Sequence, residues 1–455
     1  MKRLLSLCVL ALGLSVPLLA QDVAIDVVPG KVVRTHGFAD LQNGGAGIAY
    51  PDTDNIIVID DRTYPNPVDK RKAFTNAIAS GRTGGSGSER PTEDPAIIVL
   101  SGTVDLSDGK VTDKDHSYWD EYDAATHQRL HRDIEYEIGA NKAIVGADRA
   151  RVAYGGLAIN GHADNPNLGR NVIIRNVEFW DSHGSTEYDT KAKGTFRKGG
   201  KDYPYADKNN KASSNNLGIG YGDTYKGTAG IPENIWIDHC TFSDGACNDM
   251  VRNFAHDGAL DIPFGRNITV SYCVFTNHDK VSLVGSNSNL ENPDERVVTF
   301  HHICYRKVTQ RNPLLRASRT HVYNNLYDNI GVDGNSGYAI GVSQGALSVV
   351  ENNSFGSFRR DTFFIDDGNA KGSPLFSRIF MRGNTKTPSE TNSKENKNGL
   401  PFAEHLVDAP PFVVPYEYAG ALEDAKGLKK SLPKRAGAGV AKTVRVNGTE
   451  YAARK

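Results

Sequence analysis

Between residues 257 and 316 three short clusters carry side chains suited to charge chemistry. Asp257-Gly258-Ala259-Leu260-Asp261 offers two carboxylates, His278-Asp279-Lys280 a lysine, and Arg311-Asn312-Pro313-Leu314-Leu315-Arg316 two arginines. Taken singly, each has an ordinary reading: an Asp pair caps turns or meets surface lysines, and lone arginines are surface cations. Together they suggest more. Hard cations such as Ca²⁺ want several oxygen ligands, carboxylates above all, and a cationic cluster beside them suits an anionic sugar polymer held through its own carboxylates.

Such residues can cooperate only if the fold stacks them, and the chain repeats itself in a way that does so. One phrase recurs, as Ile173-Ile174-Arg175-Asn176-Val177-Glu178-Phe179, Ile235-Trp236-Ile237-Asp238-His239-Cys240-Thr241-Phe242 and Ile268-Thr269-Val270-Ser271-Tyr272-Cys273-Val274-Phe275. It returns around Val298–Tyr305, His321–Tyr327 and Val349–Phe355. Each copy is a β-branched alternation, a small or amide residue, then an aromatic two positions on. From Trp236 onward the copies recur at roughly 22 to 33 residues, the length of one three-strand coil of a solenoid. Sandwich strands recur faster and do not repeat residue classes. In a parallel β-helix equivalent positions stack about 4.8 Å apart. Phe242, Phe275, Tyr305, Tyr327 and Phe355 should then form an internal aromatic stack, and Asn325 with Asn353 an amide ladder.

Upstream, Ala96–Leu100 and Ala143–Gly146 read as strands of earlier coils, and Val68–Ser80 as an amphipathic helix capping the open end of the solenoid. The polar, Gly/Lys/Asn-rich stretch 181–232 reads as a long loop thrown out from one coil, of the kind that shapes binding sites. The β-helix should occupy residues 21–385, and 386–455 should form a tail packed along its outside with a frayed end.

Lys2 and Arg3, the apolar run Leu4–Leu19 and Ala20-Gln21-Asp22 describe a secretory signal peptide over residues 1–20. The run is too short and wrongly flanked for a membrane span, and Cys8 sits inside it rather than at a lipoprotein cut. The expectation is an exported, monomeric protein with no membrane partner. Removing the leader takes two of the 53 basic residues and none of the 54 acidic ones. A net charge near −3 gives no footprint for nucleic acid, which needs a basic face. Cys240, Cys247, Cys273 and Cys304 would remain, a number that permits disulfides in an exported protein without requiring them.

The motifs also carry a family resemblance. Trp236-Ile237-Asp238-His239, His256-Asp257-Gly258 with Asp261, His278-Asp279-Lys280 with Gly285-Ser286, Arg311-x-Pro-x-x-Arg316 and Val322-Tyr323-Asn324-Asn325 resemble, in order and spacing, the polysaccharide lyase family 1 pectate lyases. The resemblance runs from about Gly37 to at least Asn353, and the Pro415-Tyr416 and Ala436-Gly437 pairs resemble that family's C-terminal tails. It implies an all-β, right-handed, single-stranded parallel β-helix with long loops, acting on polygalacturonate by calcium-dependent β-elimination. Asp257 and Asp261 would be calcium ligands, Lys280 would contact the substrate carboxylate, Arg311 would be the general base, and Arg316 would bind substrate or hold the site's shape. The chemistry agrees, because elimination removes the C5 proton next to a carboxylate, and positive charge there stabilises the enolate-like intermediate. An arginine base is demanding. With a pKa of about 13, roughly one part in 10⁴ is neutral at pH ~9, a cost of roughly 5 kcal/mol. Ca²⁺, Lys280 and Arg316 nearby should lower that cost and give an alkaline optimum.

The resemblance fails at one ligand. The family's further Asp, some eleven residues before the tryptophan, lands on Tyr225; Asn215 replaces it if Leu217 and Ile219 point inward, and otherwise Asp223 reaches in from the loop. The ladder departs at Cys240, Cys273 and Ile303. Three rival functions remain. A pectin lyase would act without calcium, and Asp257, Asp261 and Lys280 argue against it. A hydrolase needs a cluster of catalytic aspartates, and Asp366-Asp367 lacks supporting motifs. A non-catalytic sugar-binding β-helix has no use for paired arginines beside carboxylates and a lysine.

Overall fold

The computed structural model describes residues 23–451 except 116–121, 124–127, 130–133, 183–194, 199–200, 205–214, 246–255, 287–291, 332–336, 357–360, 370, 386–389 and 393–401. The leader expected at residues 1–20 and the frayed end of the tail lie outside the described residues.

The repeated phrase folds as one coil after another. Gly265–Ser271, Val274–Lys280 and Leu283–Val284 make three strands of one turn; Arg296–His301, Cys304–Gln310 and Leu314–Arg316 make the next. Equivalent strands pair in parallel, building sheets of ten and eight strands. A third face combines a four-stranded and a five-stranded sheet joined through an Ile262–Val284 bridge. This is the right-handed parallel β-helix that the repeats imply.

The register explains the residue classes. In Ala96–Leu100, Ala96, Ile98 and Leu100 enter the solenoid core. Ile97 and Val99 face a second apolar layer containing Ile25, Val27, Trp236, Val444 and Val446. A strand covered on both faces must be apolar throughout. The aromatic stack forms as expected, with centroid spacings of 4.8, 5.5, 4.9 and 4.9 Å from Phe242 to Phe355, and Phe179 extends it at 4.7 Å. Stacked pairs of this kind contribute about 0.5–1.5 kcal/mol each beyond their buried area.

Each corner between the first and second sheets turns on a left-handed residue: His239 (φ 50), Tyr272 (φ 47), His302 (φ 54), Asn324 (φ 52) and Asn352 (φ 50). The residue after each is buried. Asn325 Nδ2 donates to Asn353 Oδ1 at 3.0 Å and Asn353 Nδ2 to Asn384 Oδ1 at 3.0 Å, so the amide ladder runs one rung beyond the expected pair. Cys240, Cys273 and Ile303 fill the same row in earlier coils, where no side-chain amide ladder can form; Cys240, Cys273 and Cys304 are free, buried thiols.

The helix Pro67–Ser80 is capped by Asn66, whose side chain accepts from Val68 and Asp69, and it ends at left-handed Gly81. Its Phe74, Ala77 and Ile78 plug the first coil. The stretch 181–232 is more than a loop. It contains an antiparallel pair, Thr195–Lys198 with Lys201–Pro204, the coil strand Leu217–Ile219 and a one-turn helix Gly222–Tyr225. Three residues with a central glycine are too short to show a period among polar neighbours.

Beyond the strand Glu390–Asn392, which still belongs to the third face, the chain returns along the outside. Tyr416 Oη sits 2.7 Å from both Thr299 Oγ1 and His321 Nδ1. Thr443–Val446 finally pairs in parallel with Ala24–Val27, tying the two ends of the described chain together. No helix among the described residues is long and apolar enough to cross a membrane.

Candidate active site

The three clusters converge on the third face and its edge. Asp261 sits in register with Gly218 of the preceding coil. Lys280 ends the strand Val274–Lys280 and bridges to Gly258. Arg311 follows the strand Cys304–Gln310, and its carbonyl accepts from the Ser282 N–H at 2.8 Å. Gly258 is required by packing, since a Cβ there would stand 2.3 Å from the Asp261 carboxylate carbon.

Asp261 is buried; its Oδ1 accepts from the Leu283 N–H at 2.9 Å and its Oδ2 lies 3.5 Å from the Tyr221 hydroxyl. Burial, and then the charge of Asp257, push its pKa up to about 6, against the pull of Arg311, Leu283 N–H and Lys280. Asp257 meets Lys280 Nζ at 2.5 Å. Two carboxylates of like charge, one held high, and a lysine and an arginine drawn toward them form a site with an affinity for positive charge.

The two arginines respond in opposite directions. Burial lowers Arg316, and the charge of Arg311 lowers it further. Burial also pulls Arg311 down, but Asp261, Tyr338, Asp257 and Asp279 outweigh it and leave Arg311 above its ordinary value. Without a metal, then, the surroundings of Arg311 hold it as a cation, the reverse of what neighbouring cations alone would do. The carboxylates dominate until something neutralises them.

The uncertain ligands separate. Asn215 lies beside the first cluster, its Oδ1 accepting from the Gly258 N–H at 2.8 Å. Asp223 pairs with Lys226 at 3.3 Å and lines a different cavity of about 660 Å³ with Glu135, Glu137 and His162. Among the described residues, no three His, Cys, Asp or Glu side chains converge as a metal-binding group. Asp257 and Asp261 still fit a hard cation as an incomplete site: two carboxylates and an amide, with the remaining oxygens to come from water and substrate.

Behind these residues lies support that their spacing did not announce. His278 Nε2 faces the carbonyls of Asp257 (3.1 Å) and Lys280 (3.0 Å), and Nδ1 faces the Asp244 carboxylate, so acceptors lie against both ring nitrogens. His256 Nε2 meets Asp181 Oδ1 at 2.8 Å. The histidines stand in the quoted motifs, but their partners Asp181 and Asp244 carry no local signal.

The fold and this site define a class, a solenoid protein presenting carboxylates, a lysine and arginines along one face of a parallel β-helix. A family model described as pectate lyase matches residues 224–441, spanning Asp257, Asp261, Lys280, Arg311 and Arg316. The pectate trisaccharide-lyase of Thermotoga maritima is 34% identical over 209 residues, 44% of this chain and 44% of the relative. The chain thus spans under half the length of that relative. The pectate lyase of Bacillus subtilis is 27% identical over 392 residues, covering 76% of this chain and 82% of the relative. Among solved structures, a pectate lyase from Acidovorax avenae subsp. citrulli superposes with a TM-score of 0.61 at 19% identity, covering 91% of this chain and 97% of that one. The thermostable pectate lyase PL 47 gives 0.57 at 24% identity, with 90% and 98% covered. These likenesses bear on the fold.

Proposed function

We propose that this protein is a pectate lyase that cleaves α-1,4-polygalacturonate by β-elimination, exported by a leader at residues 1–20 and acting as a monomer. The observation that carries the reading is the convergence of Asp257, Asp261, Lys280 and Arg311, with Lys280 Nζ 2.5 Å from Asp257 and Arg311 under the electrostatic pull of both aspartates. The names of the relatives, among them pectate trisaccharide-lyase, support it.

In this reading Asp257 and Asp261 hold Ca²⁺, with Asn215 as a neutral neighbour; the bound ion would supply positive charge against the substrate carboxylate. Lys280 and Arg316 bind the same carboxylate and stabilise the enolate-like charge. Arg311 takes the C5 proton, a C4–C5 double bond forms, and the C4–O bond breaks with its electron pair going to the leaving oxygen, which takes a proton from solvent; one fragment keeps an unsaturated end. Neutralising the two aspartates removes what holds Arg311 protonated, and burial and Arg316 then favour its neutral form. Asp223 stands outside this set because it lines a different cavity, with Glu135, Glu137 and His162.

The test is ultraviolet absorbance of polygalacturonate incubated with the protein at alkaline pH, with calcium and with chelator. A calcium-dependent rise is expected. New reducing ends without absorbance would make the protein a hydrolase and remove the role given to Arg311.

A further inference from the structure

In the two coils before the site the second-sheet strands are short, Glu178–Trp180 and Thr241–Ser243, whereas Val274–Lys280 runs on for seven residues. The extension passes left-handed Asn277 (φ 52), whose carbonyl accepts from the Asp244 N–H at 3.3 Å, and ends on His278, Asp279 and Lys280. His278 is buried, and so is Asp244, whose carboxylate faces Nδ1 of the ring. The other ring nitrogen, Nε2, lies 3.1 Å from the Asp257 carbonyl and 3.0 Å from the Lys280 carbonyl. One side chain thus touches the main chain of both members of the Lys280–Asp257 pair, whose charged ends stand 2.5 Å apart.

The contact matters most for Asp257. That residue precedes the strand Leu260–Asp261, and among the described residues no main-chain N–H meets its carbonyl. Its neighbour Gly258 is already held, by the bridge to Lys280 and by the Asn216 N–H at 3.2 Å. The imidazole supplies the missing anchor one residue earlier, where the carboxylate branches off.

We propose that His278, oriented by Asp244, is a positioning residue that ties the main chain of Asp257 to that of Lys280 and so sets the carboxylate against the ammonium. This rests on Asp257 being a ligand of the cation. A carbonyl only accepts, so the tie requires a proton on Nε2.

The experiment compares His278→Asn and His278→Gln in the full chain. Asn places an amide nitrogen near the position of Nδ1, keeping a donor for Asp244 but falling short of the carbonyls; Gln places one near Nε2 and reaches them. Calcium affinity, measured calorimetrically without substrate, should weaken about tenfold or more in His278→Asn, the usual cost of losing a group that orients a ligand, and return to within about threefold of wild type in His278→Gln. In chelator the Gln variant should melt no higher than the Asn variant, because it withdraws the donor from buried Asp244. Wild-type affinity in His278→Asn would overturn the proposal, and so would affinity that follows melting temperature rather than reach. Should His278→Asn fail to fold, the wild type still decides. With ¹⁵N-labelled histidine, the His278 ring, assigned by its absence from the Gln variant, should carry an Nε2 proton in slow exchange with solvent; a bare Nε2 would refute the tie. If the wild type takes up no calcium and forms no unsaturated ends, the lyase reading fails, whereas the state of Nε2 still tells whether His278 joins the two carbonyls.

Discussion

Lys280 places its ammonium 2.5 Å from the Asp257 carboxylate, the position in which a divalent cation would compete with it. The lysine is buried and the carboxylate about a quarter exposed, so the pair is poorly screened. Lys280→Met should therefore do two opposite things. Calcium binding, followed calorimetrically without substrate, should tighten severalfold because no lysine competes. Lyase turnover should fall about 10²- to 10³-fold, the usual loss when a charge-stabilising group is removed. Unchanged affinity would mean that Lys280 does not share the cation's position.

Asp261 gives a pH signature. Its pKa of about 6 lies above the ordinary aspartate value of 3.8. A carboxyl raised in the folded state contributes stability that is full below about pH 3.8 and is lost as pH rises through about 6. At pH 8 the metal-free protein therefore carries a penalty of at most about 3 kcal/mol from this group. Asp261→Asn should raise the melting temperature of chelator-treated protein at pH 8, leave it nearly unchanged at pH 3.5, and abolish calcium binding. Wild-type calcium affinity should also fall as pH drops below about 6, because a ligand carboxylate must be ionised. A variant less stable than wild type at pH 8 would contradict the repulsion between Asp257 and Asp261.

Arg311 itself should tolerate no replacement. Arg311→Lys keeps a positive charge but not the geometry of the guanidinium. Its kcat should fall about 10²- to 10⁴-fold, the range for loss of a general base, with KM little altered. In wild type, kcat should rise with pH from neutral to alkaline. A profile flat over that range would remove arginine as the base.

What the sequence disclosed and what it hid follow from distance along the chain. The stack from Phe242 to Phe355 and the Asn325–Asn353 rung were readable because a solenoid brings each residue against its own counterpart one coil away. The clusters holding Asp257, Asp261, Lys280 and Arg311 come together for the same reason. Hidden were contacts between unlike positions. Asp244 reaches His278 and Asp181 reaches His256 across loops, and Tyr221 reaches Asp261 from a turn between them in neither motif. The electrostatic state of Arg311 was also hidden, because a motif names neighbours without weighing them, and the carboxylates outweigh the cations.

The outer tail depends on one carboxylate. Glu423 takes both Arg435 nitrogens at 2.8 Å and lies 3.2 Å from His302 Nε2, while its carbonyl accepts from the corner residues Asn324 and Asn352. Burial works against the charged form, yet the bonds to His302 and Arg435 prevail and hold its pKa at about 2. A depressed carboxyl contributes stability that is present above the ordinary glutamate value of 4.5 and lost as pH falls through about 2. The side chain is about a third exposed, so solvent screening reduces the contribution to about 1–2 kcal/mol. Glu423→Gln should lower the melting temperature by a few degrees at pH 7, with the difference closing at about pH 2. It should also speed proteolysis within the tail while leaving kcat on polygalacturonate unchanged, since Glu423 serves the corner row of the first and second sheets rather than the third face. Equal melting temperatures at pH 7 would show that the apolar contacts of Leu428 and Leu432, together with the pairing of Thr443–Val446 to Ala24–Val27, hold the tail without the ion pair.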